Sequence, residues 1–139
     1  MGAETVAEAM PLLAAEGVEI DGAGAPWLVG SVCADCGAKV FPPVHVCPEC
    51  MSEKINPLRL SRHGTLYSWS VVHVAPKGWK VPYIAGYVDL PEGVRVFTHV
   101  VGADPKALTM DMTVSLTTAT LGTGEDGRPM ASYAFTPAA

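Results

Sequence analysis

The 139-residue chain has few charged residues, and its positive charges form no run. Charged residues make up 17% of the sequence, and nine Lys and Arg against fourteen Asp and Glu give a net charge of −5. Neutralising a nucleic-acid backbone requires clustered cations, so this composition disfavours broad nucleic-acid binding. So few charges also leave apolar surface uncovered, which predicts contact with a partner protein.

The sequence also lacks a long apolar run and a secretory signal. No stretch approaches the roughly 18 to 20 apolar residues that a transmembrane helix needs. The N-terminal segment MGAETVAEAMPLLAAEG is apolar, but it has no basic n-region and contains Glu4, Glu8 and Glu16, unlike a signal peptide. We therefore predict a cytoplasmic protein without membrane contact.

The N-terminal residues 1–26 are predicted to form a helical segment and a linker. Within residues 3–16, Val6, Met10 and Leu13 lie about one helical turn apart among Ala, Leu and Glu. Pro11 interrupts the pattern, so the helix either breaks there or begins near it.

Four cysteines are present, and they form two Cys-x-x-Cys pairs with ten residues between them: Cys33, Cys36, Cys47 and Cys50. Such paired thiols turn toward one ion, and four soft sulfur ligands favour tetrahedral Zn²⁺, with iron as the alternative. A closed set of four ligands leaves no position for water, which predicts one structural ion. Disulfides and a redox pair are disfavoured in a reduced compartment. His45, between the pairs, is interpreted as a loop histidine.

Short segments rich in β-branched and aromatic residues follow Gly64 and are separated by Gly, Pro and Asp. A strand is predicted at 27–32, residues 51–63 are interpreted as a connector, and a helical turn is predicted at 103–108. Five further strands are predicted at 65–74, 83–90, 94–101, 112–120 and 130–135. Five strands with a short helix after the third match an OB-type barrel.

The order of these motifs resembles a known family. CADCGAKVFPPVHVCPEC is followed by GTLYSWSVVHVAP, PYIAGYVDL, EGVRVFTHVVG and a closing YAFTP. Over about residues 27–137 the chain resembles zinc-ribbon plus OB-fold proteins that accompany acyl-CoA enzymes, especially thiolase-like ones. It departs from them at Val44, where the family usually has arginine, and at Met51, where glycine is common and where we expect an altered turn.

The resemblance implies a mainly β fold, with a rubredoxin-like zinc ribbon at 27–55 and a five-stranded OB-fold barrel at 56–139 after the N-terminal helical segment. It also implies a non-catalytic accessory subunit in a hetero-oligomer with a thiolase-like or aldolase catalytic subunit. In that complex the chain would stabilise its partner and help shape a shared acyl-CoA site.

Catalysis by the chain itself has little support in the sequence. No Ser-His-acid triad, glycine-rich phosphate loop or paired carboxylate motif is recognisable, and every cysteine is assigned to the metal. His63, His73 and His99 are possible bases, but His73 and His99 are predicted within strands as packed or hydrogen-bonded side chains.

Two groups of residues are candidates for CoA binding. Lys77, Trp79 and Lys80 lie in the loop after the first barrel strand, where lysine supplies charge and tryptophan a stacking face. The alternative is a loop that contacts the partner subunit. Arg59 and Arg62 in the connector are the other possible phosphate contacts, unless they form a solvated pair.

Two other functions remain open. Aromatic residues on OB strands can stack bases, so a ribbon plus OB protein could bind single-stranded nucleic acid, although the acidic charge opposes this. With iron at the cysteines, the chain would be a rubredoxin-like electron carrier.

Overall fold

The computed structural model describes residues 17–75, 77–123, 127 and 129–138, and strands dominate them. The helical segment expected at 3–16 lies outside the described residues. Within the described ranges, no helix is long and apolar enough to cross a membrane.

A small antiparallel sheet carries the cysteines. It contains β1 (Val18–Ile20), β2 (Pro26–Cys33), β3 (Lys39–Val40) and β4 (Ile55–Arg59), and β1, β3 and β4 all pair with β2. The strand expected at 27–32 is thus confirmed. The connector interpretation of 51–63 is wrong over β4: Pro57 lowers its strand propensity, but proline is tolerated on a strand that pairs with a single neighbour.

A closed five-stranded barrel follows, formed by β5 (His63–Val72), β6 (Tyr83–Asp89), β7 (Arg95–Val100), β8 (Thr113–Thr123) and β9 (Pro129–Pro137). The strand order is β5-β6-β7-β9-β8, and β8 pairs back with β5. A parallel contact between β7 and β9 completes the closure. A single turn of 3₁₀ helix, Pro105–Ala107, follows the third barrel strand. This confirms the predicted OB-type barrel.

A tight turn at 91–93 connects β6 to β7. Leu90 N donates to Val94 O at 2.9 Å, and Gly93 N donates to Leu90 O at 2.9 Å. Gly93 has a φ of 87°, which glycine adopts without steric cost. The last two strands extend further toward their connecting loop than the sequence predicts, since β8 ends at Thr123 and β9 begins at Pro129.

A β-bulge changes the faces of β5. Leu66 pairs with Val88 while Ser68 pairs with Tyr87, so Tyr67 is the extra residue. Strict alternation places Leu66 and Trp69 on opposite faces. In the structure Leu66 is fully buried and Trp69 also packs against the core, because the bulge reverses the side-chain alternation after Tyr67.

The ribbon sheet and the barrel share one hydrophobic core. Leu28 of β2 and Leu60 after β4 are buried in the same cluster as barrel side chains such as Leu66 and Phe135. The ring of Phe41 also meets Tyr133 of β9 edge-on, with centroids 5.7 Å apart. The cysteine-bearing sheet is therefore held to the barrel by apolar packing as well as by the covalent chain.

Candidate metal centre and barrel-end cavity

The four cysteines converge on one point. Their Sγ atoms all lie within 4.8 Å of one another, with Cys33 and Cys50 at 3.5 Å and Cys36 and Cys47 at 3.6 Å. Tetrahedral coordination with metal–sulfur bonds of about 2.3 Å places the sulfurs about 3.8 Å apart. A disulfide would require about 2.05 Å. The four cysteines are therefore free thiols in an arrangement that suits a single metal ion.

Two equivalent turns aim the thiols. Gly37 N donates to Cys33 O, and Met51 N donates to Cys47 O, each at 2.9 Å. Gly37 has a φ of 79° and Met51 a φ of 67°, so both lie in the left-handed region. The altered second turn that we expected from Met51 is absent: the turn is the same as the first, although a residue with a Cβ is strained there.

The shifted pKa values of the thiols indicate that a cation is needed at the site. The backbone N–H groups of Cys36 and Asp35 lower the pKa of Cys33 to about 6, against the effect of burial. At Cys50 the backbone N–H of Ser52 also lowers the pKa, but the thiols of Cys33 and Cys36 outweigh it and raise the pKa to about 12. Four thiolates this close therefore require a bound metal to coexist.

Cysteines alone make up this metal group within the described residues. His45 is exposed and is not part of it, as the sequence predicts. Four ligands complete a tetrahedral shell, so the arrangement supports structure rather than reaction at the ion.

Arg59 and Arg62 lie together on the ribbon side. Their guanidinium carbons are 4.4 Å and 5.2 Å from the ring centroid of Trp27. Arg59 also forms an exposed ion pair with Glu19 at 3.3 Å. Trp27 is held in turn by a 3.0 Å hydrogen bond from Nε1 to Asp21 Oδ2. Both arginines thus already have intramolecular contacts that the sequence did not reveal.

The other candidate group surrounds an aromatic cluster. Trp79 packs against Tyr83 and His99, each with its ring centroid 5.8 Å away, and Tyr83 stacks on His99 at 4.5 Å. Backbone pairing of Trp79 with Gly122 fixes the loop to β8. Lys77 and Lys80 are both exposed, and Lys80 also lines a cavity.

These two groups lie apart along β8. Leu116 N donates to Arg62 O at 2.7 Å, and Lys80 N donates to Leu121 O at 2.8 Å. The five residue steps from Leu116 to Leu121 extend about 17 Å at roughly 3.4 Å per step. The backbones of the two groups are therefore well separated along the barrel.

Two cavities flank His99 and share Leu121 as a wall. The larger has a volume of about 380 Å³ and the smaller about 200 Å³. Burial lowers the pKa of His99, and its buried Nε2 has no hydrogen-bond partner among the described residues. His99 is thus packed, as predicted. Its stacking on Tyr83 depends on strand register, so no local sequence signal reveals it.

The remaining histidines are not gathered into a site. His63, the first residue of β5, is exposed. His73 is also exposed, and the expectation that it lies within a strand is wrong, because β5 ends at Val72. Among the described residues, neither histidine belongs to a group of side chains that could hold a metal ion.

A four-thiol ribbon fused through a common core to an OB barrel defines the class of protein. Comparison with known families agrees: residues 21–55 match the family model "ChsH2, rubredoxin-like zinc ribbon domain", and residues 59–119 match "ChsH2, C-terminal OB-fold domain". The chain belongs to this family of zinc-ribbon plus OB-fold proteins, which includes proteins named DUF35 domain-containing scaffolds.

Three similar proteins illustrate the family. The chain is 42% identical over 111 residues to benzoylsuccinyl-CoA thiolase subunit BbsA of Thauera aromatica, covering 80% of this chain and 76% of that protein. It is 33% identical to a DUF35 domain-containing scaffold protein of Methanocaldococcus jannaschii, covering 79% and 81%. A solved structure named Ltp2-ChsH2(DUF35) aldolase matches with a TM-score of 0.66 at 30% identity, covering 81% of this chain and 86% of the matched chain.

Proposed function

We propose that the chain is a non-catalytic accessory subunit of a thiolase-like acyl-CoA-processing complex, where it stabilises the catalytic partner and helps shape its acyl-CoA site. The observation that carries this proposal is that one closed metal site uses all four thiols of the chain. Acyl transfer of the thiolase type needs a free nucleophilic thiol, and none is left. The catalytic cysteine must then belong to a partner.

The relatives support the same role. BbsA is named as a thiolase subunit, and the structural relative is named for an aldolase that contains a ChsH2 DUF35 chain. This chain covers 76% and 86% of those two proteins, so the likeness extends over ribbon and barrel together. A cytoplasmic location stays a prediction, which the free thiols support.

Zn²⁺ is the proposed ion, held by Cys33, Cys36, Cys47 and Cys50. When bound, it would cross-link the two turns and neutralise the thiolates. Iron would fit a similar arrangement of sulfur ligands, but the colour and metal content of the purified protein distinguish it from zinc. A colourless protein with one zinc per chain, purified without oxygen, would support zinc, whereas a red protein would indicate the electron-carrier alternative.

An exposed aromatic surface on the barrel offers a contact for the partner. Tyr67, Tyr87 and Phe97 come from three adjacent strands and are 41%, 43% and 59% exposed. The rings of Tyr87 and Phe97 lie 5.2 Å apart, and the Arg95 guanidinium covers Tyr67 at 3.7 Å. Aromatic and arginine side chains of this kind are enriched in protein interfaces.

The proposed CoA contacts are Lys77, Trp79 and Lys80 at the barrel end. Lys77 is exposed and able to reach a phosphate, and Lys80 lies beside the cavity. Arg59 and Arg62 stay candidates with less support, because Trp27 and Glu19 already occupy part of their surfaces.

Co-purification from the native host tests the accessory role. We expect a thiolase-like or aldolase subunit to accompany the chain, and Phe97→Asp to release it while the metal content stays unchanged. Thr118→Asp, at an exposed position of another strand, is the matched control. Recovery of the chain only as a free monomer, with the catalytic subunit fully active alone, would refute the proposal.

Single-stranded nucleic-acid binding is the second candidate, because the same exposed aromatic residues lie on OB strands. The net charge of −5 opposes it. Retardation of single-stranded DNA or RNA at physiological salt would favour it, and loss of that binding in Phe97→Asp would locate the site.

A further inference from the structure

The larger cavity lies at the end of the barrel where β5 and β8 finish and β6 begins. Its volume of about 380 Å³ falls within the roughly 300–1,000 Å³ typical of small-molecule sites. Most of its wall is aliphatic, contributed by Val71, Pro82, Ile84, Val100 and Leu121. Burial of an apolar group against such a wall is favourable, whereas burial of a highly charged group is unfavourable.

One positive charge lies in this wall. Among the described residues, Lys80 is the only lysine or arginine that lines the cavity, and no Asp or Glu lines it. His99 forms another part of the wall, and burial lowers its pKa and so favours the neutral imidazole. Lys77 is in the same loop but outside the lining, so the two lysines, both exposed, differ in position and not in burial.

We infer that this cavity binds the acyl part of a thioester, as an apolar group that carries one carboxylate, and that Lys80 supplies the opposite charge. Tyr83 and His99, whose rings stack on each other, both line the cavity and offer an aromatic contact to the acyl group. The multiply charged nucleotide of CoA is excluded by the aliphatic wall, and its phosphates are left to exposed Lys77.

This inference deepens the proposed function, since it names the substrate class for the site that the accessory subunit helps to shape. It is tested on the isolated full chain loaded with zinc. Its failure is therefore separate from a failure to co-purify a catalytic partner.

Three compounds serve as ligands in a titration followed by NMR of the methyl groups of Ile84, Val100 and Leu121. Hydrocinnamate has an apolar body and one carboxylate, hydrocinnamide is its neutral counterpart, and adenosine bisphosphate represents the CoA nucleotide. We expect hydrocinnamate to shift all three signals and to bind about tenfold more tightly than the amide, as a charge-assisted contact predicts. The nucleotide should leave the three signals unchanged.

Two matched pairs of variants test whether the ligands bind in this cavity and whether Lys80 contacts the carboxylate. Lys80→Gln should remove the preference for the acid over the amide, whereas Lys77→Gln should retain it. Thr120→Trp, at an exposed position that lines the cavity, should block both ligands, whereas Thr118→Trp, exposed on the same strand but outside the lining, should not. Equal affinities for acid and amide, equal effects of the two lysine variants, or shifts caused by the nucleotide would overturn the inference.

Discussion

Replacing Leu28 by Ala tests whether ribbon and barrel unfold as one unit. Leu28 belongs to β2 of the ribbon sheet, yet its side chain is 0% exposed and lies in the same core cluster as Leu66 and Phe135 of the barrel. Truncation of a buried leucine typically costs about 3–5 kcal/mol, because transfer free energy is lost and a cavity is left. If the core is shared, this loss destabilises the barrel as much as the ribbon.

Amide hydrogen exchange measures the two parts separately. In the barrel, Leu66 N donates to Met112 O at 3.0 Å, and Val101 N donates to Phe135 O at 2.9 Å. A loss of about 3 kcal/mol should accelerate exchange at both amides by about a hundredfold when it proceeds through global unfolding.

The control for Leu28→Ala is Ile20→Ala. Ile20 lies in β1 of the same sheet but is 52% exposed, so its truncation should change the free energy of unfolding by less than about 0.5 kcal/mol. Unchanged exchange in the barrel, with faster exchange only in the ribbon, would refute the shared core as a cooperative unit.

Three further predictions concern single residues. Cys33→Ser should lower the metal content and dissociate the complex, and an intact, fully active complex would contradict the proposed role. Met51→Gly should raise the free energy of unfolding by about 1 kcal/mol, since it relieves a φ of 67° at a side chain that is 74% exposed; Met110→Gly, at an exposed residue without a positive φ, should give no gain. Burial raises the pKa of Glu92, but hydrogen bonds from Ser61 Oγ and N outweigh it and lower the pKa. Glu92→Gln should therefore cost stability above the ordinary pKa of glutamate, and urea unfolding should show the difference from the parent vanishing as the pH falls through the lower folded value.

The strand content of the barrel was predictable because each strand is a local pattern. Five segments rich in β-branched and aromatic residues, separated by turn residues, all became strands. The faces of these strands were less predictable, since the bulge at Tyr67 reverses the alternation of β5. In the ribbon sheet, β4 was missed because it contains Pro57. Both depend on pairing with a distant strand, which a local pattern does not encode.

The candidate binding residues were predictable as residue types, but their contacts were not. In the sequence Arg59 and Arg62 are possible phosphate contacts or a solvated pair, yet both guanidinium groups contact Trp27, more than thirty residues earlier in the chain. Lys77 and Lys80 look equivalent, but only Lys80 lines the cavity. Which contacts a side chain makes depends on long-range packing.

The sequence alone determined which four cysteines form the candidate metal group, since all lie within 18 residues and their spacing defines two turns that bring the sulfur atoms together. It also determined the number of barrel strands. Only the tertiary structure decided that the ribbon shares the barrel core and that Tyr83 and His99 stack beside a cavity. Those features arise from the register between strands far apart in the chain, which is fixed by burial of the whole apolar set at once.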